Sequence, residues 1–239
     1  MKIRPSEPAD GPGCRYLTLK DLWRKLKPSR ATRAISRRSR GSSRALIAPQ
    51  NLSHEIACES ALEFKFVQVA LTRSDVVDIW DQPPRVNYRD SAGKLRGHTF
   101  DFLVTMADGA RVAVEIKPYE KVVKYGWRAL IAAIGKQNPK FADRFILVTE
   151  KNLPAESVYN ARLFLACNRG PHEEHDEQMR ALVANLNGRI TIADLVAQSG
   201  LDGDGFRSLV RLISAGHLIV HGRGRIDHST FVSVPGVSK

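Results

Sequence analysis

Cysteine is scarce in this chain of 239 residues: Cys14, Cys58 and Cys167 are odd in number, far apart and without metal-ligand spacing. That argues against a disulfide framework and for a reducing compartment, so a cytoplasmic location is expected. Long apolar runs are also missing. The stretch "WRALIAAIG" is short and contains Arg128, whereas a membrane helix needs roughly 20 apolar residues, so no membrane partner is expected. The first residues lack the apolar segment of a signal peptide.

Acids are the third shortage, and a local one. Residues 1–44 hold 13 Lys or Arg against Glu7, Asp10 and Asp21, a net of +10 out of +12 for the chain. The other 195 residues hold 24 bases and 22 acids. The segment "RKLKPSRATRAISRRSRGSSR" is rich in Arg and Ser and nearly without acids or large apolar residues. Such a composition is expected to be mobile when free and drawn to a polyanion by counterion release. Arg30, Arg33, Arg37, Arg38, Arg40 and Arg44 are its candidate DNA-binding residues, joined further along by Lys121 and Lys124. A solubilising tail is the bland alternative. Near its start, "YLTLKDLWRKLK" would place Leu19, Leu22, Trp23 and Leu26 on one face of a short helix, suited to dock on the body of the protein or on a partner.

What remains is ordinary globular sequence. A hydrophobic content of 43% over this length supports one large domain or two small ones. "SHEIACESALEFKFVQVALTRSD" reads as a helix capped by Ser53, with Glu59 and Glu63 one turn apart. "VVDIWDQP" and "RVNYRD" read as short strands, the second followed by a turn at "SAGK". "KYGWRALIAAIGKQN" is helical, "RFILVTE" is a nearly all-apolar strand of the kind buried inside a sheet, and "AESVYNARLFLACNR" is another helix. Together they predict an α/β domain ending near Gly170-Pro171. Beyond it, three helices and a two-stranded ribbon follow the winged-helix plan. The third helix, "FRSLVRLISAG", shows Arg207 and Arg211 on one face after Asp202 and Asp204, a pattern at least as suited to a protein contact as to DNA.

The most informative stretch is "HTFDFLVTMADGARVAVEIKPYEKV". Apolar residues alternate at Phe100, Phe102, Val104 and Met106, and again at Val112, Val114 and Ile116, which predicts a hairpin with one buried face. Only a three-residue turn with Gly109 left-handed keeps that face intact, because a slip of one flips every side chain. In that register Asp101 stands opposite Glu115, with Lys117 two residues along on the same face. Adjacent carboxylates repel unless a cation joins them; Mg²⁺ is the usual partner, and a lysine beside it can orient water or steady a phosphate. A solvated strand face with a Glu–Lys pair fits the spacing equally well.

The hairpin resembles the PD-(D/E)xK nucleases. With "ESALE", "DVVDIWDQP", "FILVTEKNL" and "YNARLFL" in the same order, the chain more specifically resembles the TnsA family of transposon-end endonucleases over about residues 55–169. The resemblance implies a restriction-endonuclease-like core, a mixed sheet flanked by helices, at 51–170. A basic arm would occupy 1–50 and a small winged-helix domain 171–239. It also implies a catalytic set of Glu63, Asp101, Glu115 and Lys117, with Glu63, Asp101, Glu115 and the Ile116 carbonyl as ligands for Mg²⁺, Mn²⁺ substituting. Phe100 stands where the family often has proline. The implied activity is nicking of the 5′ strands at transposon ends in double-stranded DNA. The implied partners are an integrase-fold transposase and an AAA+ ATPase regulator, the latter through the C-terminal domain. A stand-alone restriction- or repair-type nuclease, or a non-catalytic DNA-binding assembly protein, are the alternatives.

Overall fold

In the computed structural model residues 26–32 and 44–236 are described. The expectations for the amphipathic segment before residue 26, and for Arg33, Arg37, Arg38 and Arg40, lie outside these residues.

The hairpin forms in the expected register. Strands β6 (Phe102–Met106) and β7 (Arg111–Ile116) pair antiparallel with Phe102 opposite Val114 and Val104 opposite Val112. Gly109 closes the turn at φ 83°, a conformation that costs glycine little and other residues more. The paired strands form the centre of a four-stranded sheet in the order β3-β6-β7-β8, with β3 at Val76–Asp81 and β8 at Arg144–Val148. β8 runs parallel to β7, which makes the sheet mixed.

Two faces are buried rather than one. Helices α1 (Ala61–Ala70) and α4 (Ala155–Cys167) lie on one side of the sheet; Val67 and Ala70 of α1 pack there with Phe102, Val104, Val114 and Ile116. On the other side Leu103 and Ala113 pack against Ile131 and Ile134 of α3 (Trp127–Gln137). The acid-bearing face is therefore a covered one. A short helix α2 (Tyr119–Tyr125) precedes α3, and left-handed Gly126 at φ 63° divides what the sequence reads as a single helix.

Two local expectations are corrected. The first helix starts at Ala61 and is capped by Ser60, not Ser53, because Ile56–Cys58 forms strand β2 against β1 (Ala45–Ile47). β8 is an edge strand with Ile146 exposed, not an interior one. Strands β4 (Val86–Arg89) and β5 (Leu95–His98) form a separate ribbon whose end carries the chain back to the sheet.

Residues 26–32 are docked. Lys27 bridges His54, Arg30 pairs with Asp78 at 2.7 Å and lies over the Trp80 ring, and Ser29 donates to the fully buried Asp81. Arg30, expected among DNA contacts, is thus engaged by the domain, which supplies an acid and an aromatic ring for it.

After α4 come α5 (Glu173–Ala184), β9 (Ile190–Thr191), α6 (Ile192–Ser199), α7 (Asp202–Ser214), β10 (Ile219–His221) and β11 (Phe231–Ser233). The last strands make a three-stranded sheet in the order β10-β11-β9. Their core, built on Met179, Leu195, Leu209 and Val232, extends to Cys167 and the adjoining Leu163 and Phe164 of α4. Asn160 of α4 also donates to the Gly224 carbonyl at 3.1 Å and accepts from the Ile226 N–H at 2.8 Å. The "LDGDG" turn is largely absorbed into α7. Arg211, expected on one helix face with Arg207, is buried: its Nε and Nη2 bond Asp176, and its Nη1 donates to the Cys167 carbonyl.

Candidate active site

Asp101 sits where β6 has not yet begun, and its side chain takes over from the ladder. The Ile116 N–H donates to Asp101 Oδ2 at 2.7 Å, while the Asp101 carbonyl accepts from the Gln82 N–H at 2.9 Å. Gln82 is buried and left-handed at φ 45°, a strained backbone of the sort that surrounding structure must hold in place. Asp101 is therefore pinned between β3 and β7.

Glu115 reaches the same place from β7, 1% exposed, and Lys117 follows just beyond the strand. Lys117 Nζ lies 2.6 Å from Glu115 Oε1 and 3.3 Å from Asp101 Oδ2, and donates to the Ile116 carbonyl at 3.1 Å. It also sits 5.0 Å from the centre of the Trp127 ring. All four expected residues from Asp101 to Lys117 thus converge, and Lys117 is the cation between the two acids.

Glu63 approaches from the first turn of α1. Ser60 Oγ accepts the Glu63 N–H and donates to Glu63 Oε1, while Glu63 Oε2 accepts from the Glu59 N–H at 2.6 Å. This reciprocal capping fixes the carboxylate. Glu59 contributes backbone just ahead of the helix, not a place on it. Cys58, from neighbouring β2, is buried, and burial followed by the charges of Glu63 and Asp81 pushes its thiol well up.

The electrostatics follow from three acids and one lysine in a closed space. Burial, then the Glu115 charge, pushes Asp101 up to about 7, with Lys117 opposing. Burial likewise raises Glu63 above the usual carboxylate range, against its hydrogen bonds to Glu59 and Ser60. For Lys117 burial works against the charge, but Asp101 and Glu115 outweigh it and hold the ammonium above the ordinary lysine value.

Among the described residues, no group of three or more His, Cys, Asp or Glu is closed to metal-ligand spacing. The donor chemistry nevertheless fits a hard divalent cation: carboxylate and carbonyl oxygens only.

Lys121 and Lys124 are exposed on α2, and Arg44 is half-buried. Two contributors to the site had no sequence signal strong enough to single them out. His98, at the end of β5, lies with Nε2 2.8 Å from Glu115 Oε2; Trp127 borders Lys117.

A mixed sheet flanked by helices, with carboxylates and a lysine gathered where its central hairpin ends, is consistent with a restriction-endonuclease-like nuclease core. Residues 73–156 match the family described as TnsA-like endonuclease N terminal. Asp101, Glu115, Ile116 and Lys117 fall inside the matched residues and Glu63 ahead of them. Endonucleases of this kind generally use divalent metals. No curated protein matches the chain.

Proposed function

We propose that this chain is a Mg²⁺-dependent DNA endonuclease, the subunit of a heteromeric transposase that nicks the 5′ strands at transposon ends. One observation carries the reading: within a TnsA-like domain, Asp101 and Glu115 flank the Lys117 ammonium at 3.3 and 2.6 Å.

Asp101, Glu115, the Ile116 carbonyl and Glu63 would hold Mg²⁺ or Mn²⁺, which would supply positive charge for the scissile phosphate and a more acidic water. Lys117, kept protonated by its acid neighbours, serves as a fixed positive charge for the negative charge that develops on the oxygens of the scissile phosphate. It is not a general base near neutrality. Glu63, held by its own helix cap, would add a third carboxylate to the set.

The unit after residue 170 is read as a winged helix that contacts protein: an ATPase regulator of the AAA+ class or the integrase-fold transposase. Support comes from its third helix, α7, where Ser208, Leu209, Val210, Arg211 and Leu212 are buried. The exposed start of α7 carries Asp202 and Asp204, a poor surface for phosphates. DNA binding is assigned to the arm arginines with Lys121 and Lys124, in a cytoplasmic, DNA-associated protein.

The test is nicking of transposon-end DNA with Mg²⁺, with and without a co-encoded transposase. Cleavage confined to the 5′ ends and dependent on Mg²⁺ is expected. Cleavage of any DNA by the chain alone would favour a stand-alone nuclease.

A further inference from the structure

The Glu115 carboxylate divides its two oxygens between two cationic or polar neighbours. Oε1 takes Lys117 at 2.6 Å, and Oε2 lies 2.8 Å from His98 Nε2. With Oε1 accepting from the Lys117 ammonium, the tautomer that carries its hydrogen on Nε2 lets the imidazole donate to Oε2.

His98 is itself held firmly. It ends the β4–β5 ribbon opposite Val86, and its side chain is 13% exposed. Its ring meets the edge of Phe100 at 4.7 Å and lies 6.0 Å from Trp127. Phe100 is fully buried against Phe141 and Phe145. Asn138 and Gln137 of the α3 end, in turn, bond the backbone of Asn87 and Arg89 on the ribbon. The imidazole therefore has neither room to swing nor an exposed alternative.

We propose that His98 is a positioning residue of the nuclease site: by donating to Glu115 Oε2 it fixes the carboxylate so that Oε1 faces Lys117, Asp101 and the Ile116 carbonyl. The inference rests on the nuclease reading and deepens it. A group that hydrogen-bonds a ligand's spare atom sets its orientation, and losing such a partner typically lowers metal affinity or activity about 10–100-fold. Without His98, Glu115 can rotate about its own side chain while the strand beneath it stays in place.

Three variants of the full chain separate positioning from packing. His98→Leu keeps bulk and removes the donor. His98→Gln places an amide N–H at the reach of Nε2, and His98→Asn places it one bond short. Mn²⁺ affinity is measured by calorimetry without DNA, and kcat and KM on transposon-end DNA.

H98L and H98N should bind Mn²⁺ about 10–100-fold more weakly and lose kcat with KM for DNA unchanged, while H98Q recovers most of both. Should H98L fail to fold, the H98Q and H98N pair gives the same comparison. Wild-type Mn²⁺ affinity in H98N, H98Q no better than H98N, or a loss confined to KM would overturn the proposal. Failure of the nuclease reading itself is visible earlier, in a wild-type chain that neither binds Mn²⁺ nor cuts.

Discussion

The Ile116 N–H donates to Asp101 Oδ2 at 2.7 Å, so a side chain replaces the next rung of the hairpin ladder exactly one residue before β6 begins. That single bond ties the acid to the strand carrying Glu115 and Lys117. Asp101→Ala and Glu115→Ala should each reduce strand cleavage by more than the about 100-fold that an outer partner costs. Lys117→Ala should retain Mn²⁺ binding and lose most of the rate. Cleavage assays and Mn²⁺ calorimetry on the folded variants check both statements.

Asp101 also makes stability depend on pH. Folded, it holds its proton up to about 7; its ordinary value is 3.8. Between those values the folded state binds more protons than the unfolded one, so stability falls as pH rises through that window and levels off above it. Asp101→Asn should flatten the slope. Mg²⁺ should raise the melting temperature more at pH 8 than at pH 5, since protons compete for the same oxygens. Thermal melts across that range decide the matter.

The buried Asp176–Arg211 pair should be costly to break. Asp176→Ala leaves a guanidinium uncompensated between α5, α7 and the Cys167 carbonyl, a loss of about 3–5 kcal/mol. Urea denaturation of the full chain measures it, and because the second core reaches α4, the transition should shift for the nuclease unit too.

For the arm, replacing Arg33, Arg37, Arg38 and Arg40 with alanine removes four candidate phosphate contacts. The slope of log affinity against log salt should fall by about 3.6, and any cleavage should stay at the same position. An unchanged slope would leave partner docking through "YLTLKDLWRKLK" as the better role.

How much of this was legible in the sequence depends on the distance over which each residue is held. The hairpin register was readable because only one pairing keeps Phe102, Val104, Val112 and Val114 on a common face, and Asp101, Glu115 and Lys117 follow from it. Arg211 was misplaced because its partner Asp176 stands 35 positions away. The helix cap was misplaced because "IAC" carries no periodicity that separates a three-residue strand from a first helical turn. His98 was missed although it opens the informative stretch: its contact with Glu115 depends on the bend between β5 and β6, which alternation does not encode.

The most direct test of the central claim is cleavage of transposon-end DNA by wild-type protein and by Asp101→Asn, with the partner transposase present, in Mg²⁺ and in EDTA. The account predicts nicks at the 5′ ends by wild type in Mg²⁺ alone. Equal cutting by Asp101→Asn, or cutting that persists in EDTA, would contradict it.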